Sequence, residues 1–367
     1  MTNTITNKQM FFILLLSLTS YSIVVIAKDL AASAGTGAWL VILITSLIFG
    51  LAAMVIVKLG TMFAGQSLFE YAPGLIGKPF TVLISLYYII YLFFILVFLV
   101  YSLSRMLHFD FFPKSPMWSF PLLGLPVYCY VAYKGITNVA RLAEIVGIGF
   151  FITAIIVHIV MATEGNLDSI LPLFNTADLG KYASGFNYSI FSFLGIELLL
   201  AMPQSAKNKK PVKKAFLSLL VIGVFYVIVI ESGIMKLGIH DIVNYKDALI
   251  IAIRDTSPRA LEIVSRLDIL YLTVGFGGLF VGISIMLLVI VEYICRIFPK
   301  ASRLLVVTAA GIAVYVAILV VSGIKGYEKF TVQIGIFLGL VSSIAIPCML
   351  LIAATAKKRK AGTKNVG

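Results

Sequence analysis

Phe191-Ser192-Phe193-Leu194-Gly195-Ile196-Glu197, residues 191–197 and running on to Pro203, puts a glycine and a carboxyl group inside one apolar run. The window around it, 184 to 203, holds no other Asp, Glu, Lys or Arg. At a rise of about 1.5 Å per residue, such a window is long enough, or nearly so, to cross the roughly 30 Å hydrocarbon core of a bilayer. Glu197 therefore reads as an acid within a membrane span. Insertion scales set the cost of a central charge at about 2.5–3.5 kcal/mol, so an intramembrane acid marks function by default. Gly195, lacking a Cβ, lets the helix break just before it. The competing reading puts Glu197 one turn from the membrane edge, solvated or paired with a loop lysine.

Outward from this stretch, similar windows recur at about 10 to 27, 38 to 57, 80 to 104, 116 to 133, 145 to 163, 215 to 235, 269 to 291, 304 to 322 and 331 to 355, and only the window 215 to 235 contains an acid, Glu231. Composition agrees. The chain is 60% hydrophobic and 12% charged, with a mean hydropathy of +1.05, against about 45–50% apolar and 25% charged in soluble domains. Ten spans with short loops use nearly all of the 367 residues. The expectation is an all-α membrane protein of about ten transmembrane helices, one domain over 1–367. The first window reads as an uncleaved helix, because only Lys8 precedes it and many spans follow.

Charge orients the bundle. Most of the 29 lysines and arginines fall in one set of alternate loops: Lys8, Lys58, Lys78, Lys134, Arg141, Lys207 to Lys214, Arg296, Lys300, Arg303 and the terminal run from Lys357. By the positive-inside rule both termini are cytoplasmic. Basic residues confined to short loops suit anionic lipid headgroups, and nucleic acid is not expected as a partner. Cys129, Cys295 and Cys348 read as small buried hydrophobes, and the three histidines have no metal-binding spacing. No nucleophile and base are recognisable, so no enzyme, metal or cofactor is expected.

Ten spans divided five and five, about 8–163 and 184–356, run their first helices in opposite directions, as an inverted repeat requires. Such transporters bind their ligand near the midplane at discontinuous first helices, which directs attention to span 1 against span 6. Span 1 carries Ser17, Thr19, Ser20, Tyr21 and Ser22 amid aliphatic residues. These suit an unwound segment, although hydroxyls bonding back to the preceding turn would explain each singly. Span 8 carries Gly275, Gly277, Gly278, Gly282 and Ser284, for tight packing or for ligand space. In span 3, Tyr87, Tyr88 and Tyr91 have hydroxyls to offer, with Tyr91 nearest mid-span. Glu231 reads as solvated near the outer boundary. Arg141 and Glu144, three apart, share a helix face, and Asn244 to Ile253 lies along the outer surface or folds in as a gate.

Several of these residues resemble the permease-like B subunits of spore germinant receptors, within the amino acid, polyamine and organocation transporter superfamily. The resemblance is carried by Trp39, Ser67-Leu68-Phe69-Glu70-Tyr71, Gly135 with Arg141-Leu142-Ala143-Glu144, Pro172-Leu173-Phe174, and Phe193-Leu194-Gly195-Ile196-Glu197 with Pro203. It implies a LeuT-like 5+5 inverted repeat and a small germinant, such as an amino acid, bound at the midplane. It also implies A and C partner subunits in the inner spore membrane. Residues of spans 1, 3, 6 and 8 would then line the pocket: Thr19, Ser20, Tyr21, Ser22, Tyr91, Phe193, Leu194, Gly195, Glu197, Gly278, Val281 and Gly282. Thr19-Ser20-Tyr21 stands where relatives often carry a glycine-rich break. The alternative reading is a secondary amino acid transporter, coupled to protons through Glu197.

Overall fold

The computed structural model describes residues 4–19, 22–245, 247–256 and 267–364. Ser20 and Tyr21 lie outside these residues. The elements are helical throughout: α1 (Asn7–Thr19), α2 (Ser22–Ala34), α3 (Ala38–Met62), α4 (Leu68–Ile76), α5 (Lys78–Met106), α6 (Ser119–Tyr133), α7 (Ile136–Glu164), α8 (Leu179–Phe191), α9 (Pro211–Asn244), α10 (Ala248–Arg254), α11 (Leu267–Ile297), α12 (Arg303–Val321), α13 (Tyr327–Leu340) and α14 (Ile346–Lys364).

The ten expected windows fall on these helices. α1 and α2 make span 1, α8 with the turn beyond it makes span 6, and α13 with α14 makes span 10. Among the described residues, eight helical runs are each long and apolar enough to cross a membrane, with α2 and α3 forming one run from Val25 to Met62. α6, at 15 residues, is the short span. An outer belt of exposed Ile90, Leu123, Ile145, Phe337 and Ile352 gives the bundle the apolar surface that lipid requires.

The most extensive helix contact joins spans 2 and 7, α3 along α9. Gly223 makes it possible, because a Cβ there would stand 2.5 Å from Ser46 Cβ. Small residues at helix crossings let dispersion contacts accumulate where hydrophobic driving force is absent.

One local expectation changes in the folded chain, and three others take a definite form. Of the two readings of the outer segment the inward one holds: it forms α10, whose Ala248, Leu249, Ile250, Ala252 and Ile253 are buried. Glu231 is not solvated: both its carboxylate oxygens are buried without a hydrogen bond. The cause is that α9 turns at Gly238 (φ 77°) and the chain folds back, bringing Ile242 and Leu249 over Gly233. Glu144 pairs with Lys8 of α1 (2.9 Å) and not with its helix neighbour Arg141. Trp39 opens span 2, in the first turn of α3, and donates its indole N–H to the Leu173 carbonyl (2.8 Å), fixing the loop before span 6.

Candidate functional site

Span 6 breaks where its sequence allows. α8 ends at Phe191, Gly195 adopts φ 126°, and a tighter 3-10 turn resumes over Ile196–Ala201. The break frees the Gly195 N–H, and Glu197 takes it up: Oε2 accepts from that N–H (3.0 Å) and from Ser343 Oγ (2.6 Å). Ser343 lies in a π-helical turn, Val341–Ala345, that interrupts span 10. π-Turns displace carbonyls from the helix ladder, and span 3 meets them here. Tyr87 donates to the Leu338 carbonyl (2.6 Å) and Tyr88 to that of Ser342 (2.7 Å). Tyr91, buried beside them, interacts with Glu197 and Ser342. Among the described residues no basic side chain pairs with Glu197, so this polar knot is held by neutral donors.

A second junction lies between spans 1, 6 and 7. The Tyr226 hydroxyl of α9 reaches the Leu18 carbonyl (2.8 Å), the Ser192 carbonyl (3.2 Å) and Ser22 Oγ (2.6 Å). Its ring meets Phe193 edge to face at 5.6 Å.

The third feature is a cavity of about 620 Å³ between α2, α5, α8 and α13, with Ser192 in its lining. It lies toward the face opposite the two termini, since Arg105 in the last turn of α5 and Glu328 in the first turn of α13 both line it. These two pair through one contact, Arg105 Nη1 to Glu328 Oε2 at 2.5 Å. The other carboxylate oxygen of Glu328 is buried with no partner. Asp29 also lines the cavity, its backbone carbonyl accepting from Ser33 Oγ (2.8 Å) and its carboxylate from no described residue, while Lys28 beside it turns to the Tyr245 carbonyl (2.8 Å). The lining thus offers guanidinium donors and carboxylate acceptors at once, with Asn187 and Gln333 amides between.

On the termini face spans 1 and 6 are tied together. Ile5, ahead of span 1, pairs in parallel with Gln204 after span 6, the Ile5 N–H donating to Pro203 (2.9 Å) and the Ser205 N–H to Ile5 (3.2 Å).

The candidate residues therefore divide. Gly195, Glu197 and Tyr91 come together in the polar knot. Ser22 and Phe193 meet at Tyr226. Thr19 and Gly278 share a narrow cleft whose lining includes Leu249, Ile250 and Ile253 of α10, and Thr19 Oγ1 bonds back to Leu15 (2.6 Å). Leu194 packs on Gly339, while Val281 and Gly282 are buried in α11 away from the large cavity. Sequence reasoning missed Tyr226, Arg105, Glu328, Asn187 and Asp29. The charged three sit just beyond charge-free windows and were readable only as loop residues.

Comparison with known proteins agrees with this architecture. The "Spore germination protein YndE" of Bacillus subtilis (strain 168) is 24% identical over 217 residues, 56% of this chain and 57% of that protein, so the match spans a little over half of the relative. The crystal structure of MhsT in complex with L-phenylalanine superposes with a TM-score of 0.69 at 13% identity, covering 94% of each chain. A Na+-coupled sialic acid symporter in a substrate-bound outward-open state gives 0.62 at 12% identity, covering 93% of this chain and 79% of that one. The fold is thus the LeuT-like inverted repeat of about ten membrane helices. Residues 4–323 match the spore permease family of spore germination proteins, and the chain, a multi-pass membrane protein, belongs to that family.

Proposed function

We propose that this chain is the permease-like subunit of a spore germinant receptor and that it binds a small zwitterion, such as an amino acid, in the cavity between α2, α5, α8 and α13. One observation carries the reading. The cavity reaches the break of span 6 at Ser192, and it sets a partly engaged guanidinium, Arg105, beside the unpartnered buried oxygen of Glu328 and near the carboxylate of Asp29. A guanidinium recognises a carboxylate bidentately and a carboxylate accepts from an ammonium, so the two ends of an amino acid have matching groups. Binding there, beside a broken helix, biases the bundle between two arrangements. Partner A and C subunits in the inner spore membrane would read the change. Basic loops support cytoplasmic termini, which puts the cavity mouth on the opposite side.

The test is thermal unfolding of the purified chain in lipid nanodiscs against each of the twenty L-amino acids. At least one should raise the unfolding temperature, and Arg105→Gln should weaken its apparent affinity about 10- to 100-fold, the scale of a charged hydrogen bond. Spores lacking the protein should lose germination with the same amino acid. A chain that no amino acid stabilises, in spores that respond normally without it, would overturn the proposal. Vigorous uptake by the chain alone in vesicles would favour a transporter.

A further inference from the structure

The carbonyls at the ends of interrupted membrane helices are the groups that coordinate coupling cations in transporters with broken spans. Here two such carbonyls, Leu18 in the last turn of α1 and Ser192 just past α8, converge on one point. That point holds the hydroxyl of Tyr226. We infer that Tyr226 Oη takes the place of a coupling cation, so that spans 1 and 6 are joined without Na+ and ligand binding does not depend on it.

Three observations carry this. First, the oxygens touch at hydrogen-bond lengths: Ser22 Oγ to Tyr226 Oη is 2.6 Å and Tyr226 Oη to Leu18 O is 2.8 Å. These are O–H···O separations. Oxygens that surround a cation stand apart around it, and here no gap remains between them. Second, among the described residues the cluster has no carboxylate. Glu197 is turned away to Gly195 and Ser343, so it supplies no anionic ligand to draw a cation to these oxygens. Third, the hydroxyl is delivered by a rigid part. Tyr226 is fully buried, its ring set edge to face on Phe193 at 5.6 Å, and α9 is anchored along α3. The junction is therefore complete in the protein itself, and movement of span 1 against span 6 is left to the ligand and to the contacts on the termini face.

The experiment follows thermal unfolding of the purified full chain in NaCl, KCl and choline chloride at equal ionic strength. The expected result is one unfolding temperature for the wild type in all three salts. Tyr226→Phe should unfold several degrees lower in choline chloride, because the Ser192 carbonyl loses the tyrosine hydroxyl and the Leu18 carbonyl is left with Ser22 Oγ as its side-chain donor. A saturable rise specific to Na+ in the wild type would overturn the inference, as would a Tyr226→Phe protein as stable as the wild type. If that variant does not accumulate, the wild-type salt series decides alone. The ligand arm rests on the function proposed above: the shift produced by a stabilising L-amino acid should be equal in NaCl and choline chloride, and a Na+ requirement for it would overturn the inference. Absence of any amino acid effect would count against the proposed function and leave the salt series as the deciding result.

Discussion

The Ile5 amide donates to the Pro203 carbonyl at 2.9 Å, tying the segment before span 1 to the segment after span 6. Asn208 reinforces the tie, with Nδ2 donating to the Ile5 carbonyl (3.1 Å) and Oδ1 accepting from the Asn7 N–H (3.2 Å). In the proposed receptor these two spans part when the termini face opens, and a few hydrogen bonds, each worth about 1 kcal/mol net, hold them together. Such a latch is strong enough to stay shut at rest and weak enough to release.

Asn208→Ala should loosen it. With Cys129, Cys295 and Cys348 replaced by Ser and Gln204→Cys introduced as a reporter, maleimide labelling from the termini face should accelerate about 10-fold, in keeping with the loss of two hydrogen bonds. Gln204 is now 2% exposed. An unchanged labelling rate would mean that the latch does not depend on Asn208.

Glu197 makes a prediction that separates charge from hydrogen bonding. Glu197→Ala leaves the Gly195 N–H and the Ser343 hydroxyl buried and unpaired, which costs about 1–3 kcal/mol. Glu197→Gln keeps an oxygen to accept both bonds, so its unfolding temperature should lie near that of the wild type. If the Gln and Ala proteins are equally destabilised, charge and not hydrogen bonding is the essential property of the residue.

How much of this was legible in the sequence depends on range. The spans were, because hydrocarbon demands about 20 apolar residues in a row whatever their partners. The break in span 6 was as well, since Gly195 and Glu197 are two residues apart and the bond between them is local. Tyr226 was not: its partners Ser192 and Leu18 are 34 and 208 positions away, and a lone tyrosine in an apolar helix has no signature of its own. The π-turn around Ser343 likewise meets its partners, Tyr87 and Tyr88, on another helix. Arg105 and Glu328 stand at the ends of charge-free stretches, where a cavity-lining charge has the same sequence signature as a loop residue.

Gly195→Ala tests the backbone at the break. At φ 126° a side chain is strained, and the new Cβ would stand 3.3 Å from Leu18 Cδ2. A residue forced into such a region costs about 1–3 kcal/mol, so the variant should unfold at a lower temperature than the wild type. Unchanged stability would indicate that the break tolerates another backbone geometry.

Glu70 supplies a pH dependence outside the membrane spans. Burial raises its carboxyl, but the Ser67 N–H and hydroxyl and the Arg296 guanidinium (3.0 Å) outweigh that and hold it below its ordinary value. A carboxyl lowered in the folded state adds stability that is complete above its unfolded value, about 4.3, and is lost as pH falls through the folded one. The pair with Arg296 is partly exposed, so the effect should stay below about 1 kcal/mol. Glu70→Gln should be slightly less stable than the wild type at neutral pH and equal to it in acid. A difference that persists below the folded value would assign the loss to the capping geometry at Ser67 and not to charge.

The zwitterion reading makes opposite demands on Arg105 and Glu328. Each now partly neutralises the other through a single contact, so removing one charge frees its partner for the ligand. Glu328→Gln releases the guanidinium: it should strengthen binding of an N-acetyl amino acid, which keeps the carboxylate and lacks the ammonium, while weakening the parent amino acid. Arg105→Gln releases the carboxylate, and should favour the amino acid amide, which keeps the ammonium alone, over the same parent. Charge-assisted hydrogen bonds of about 1.5–3 kcal/mol translate into changes of roughly 10- to 150-fold in affinity. The comparison uses whichever L-amino acid stabilises the chain, with its N-acetyl and amide derivatives, read as shifts in unfolding temperature. If both variants weaken all three compounds alike, the ion pair only shapes the cavity wall, and recognition of the two charged ends lies elsewhere in the bundle.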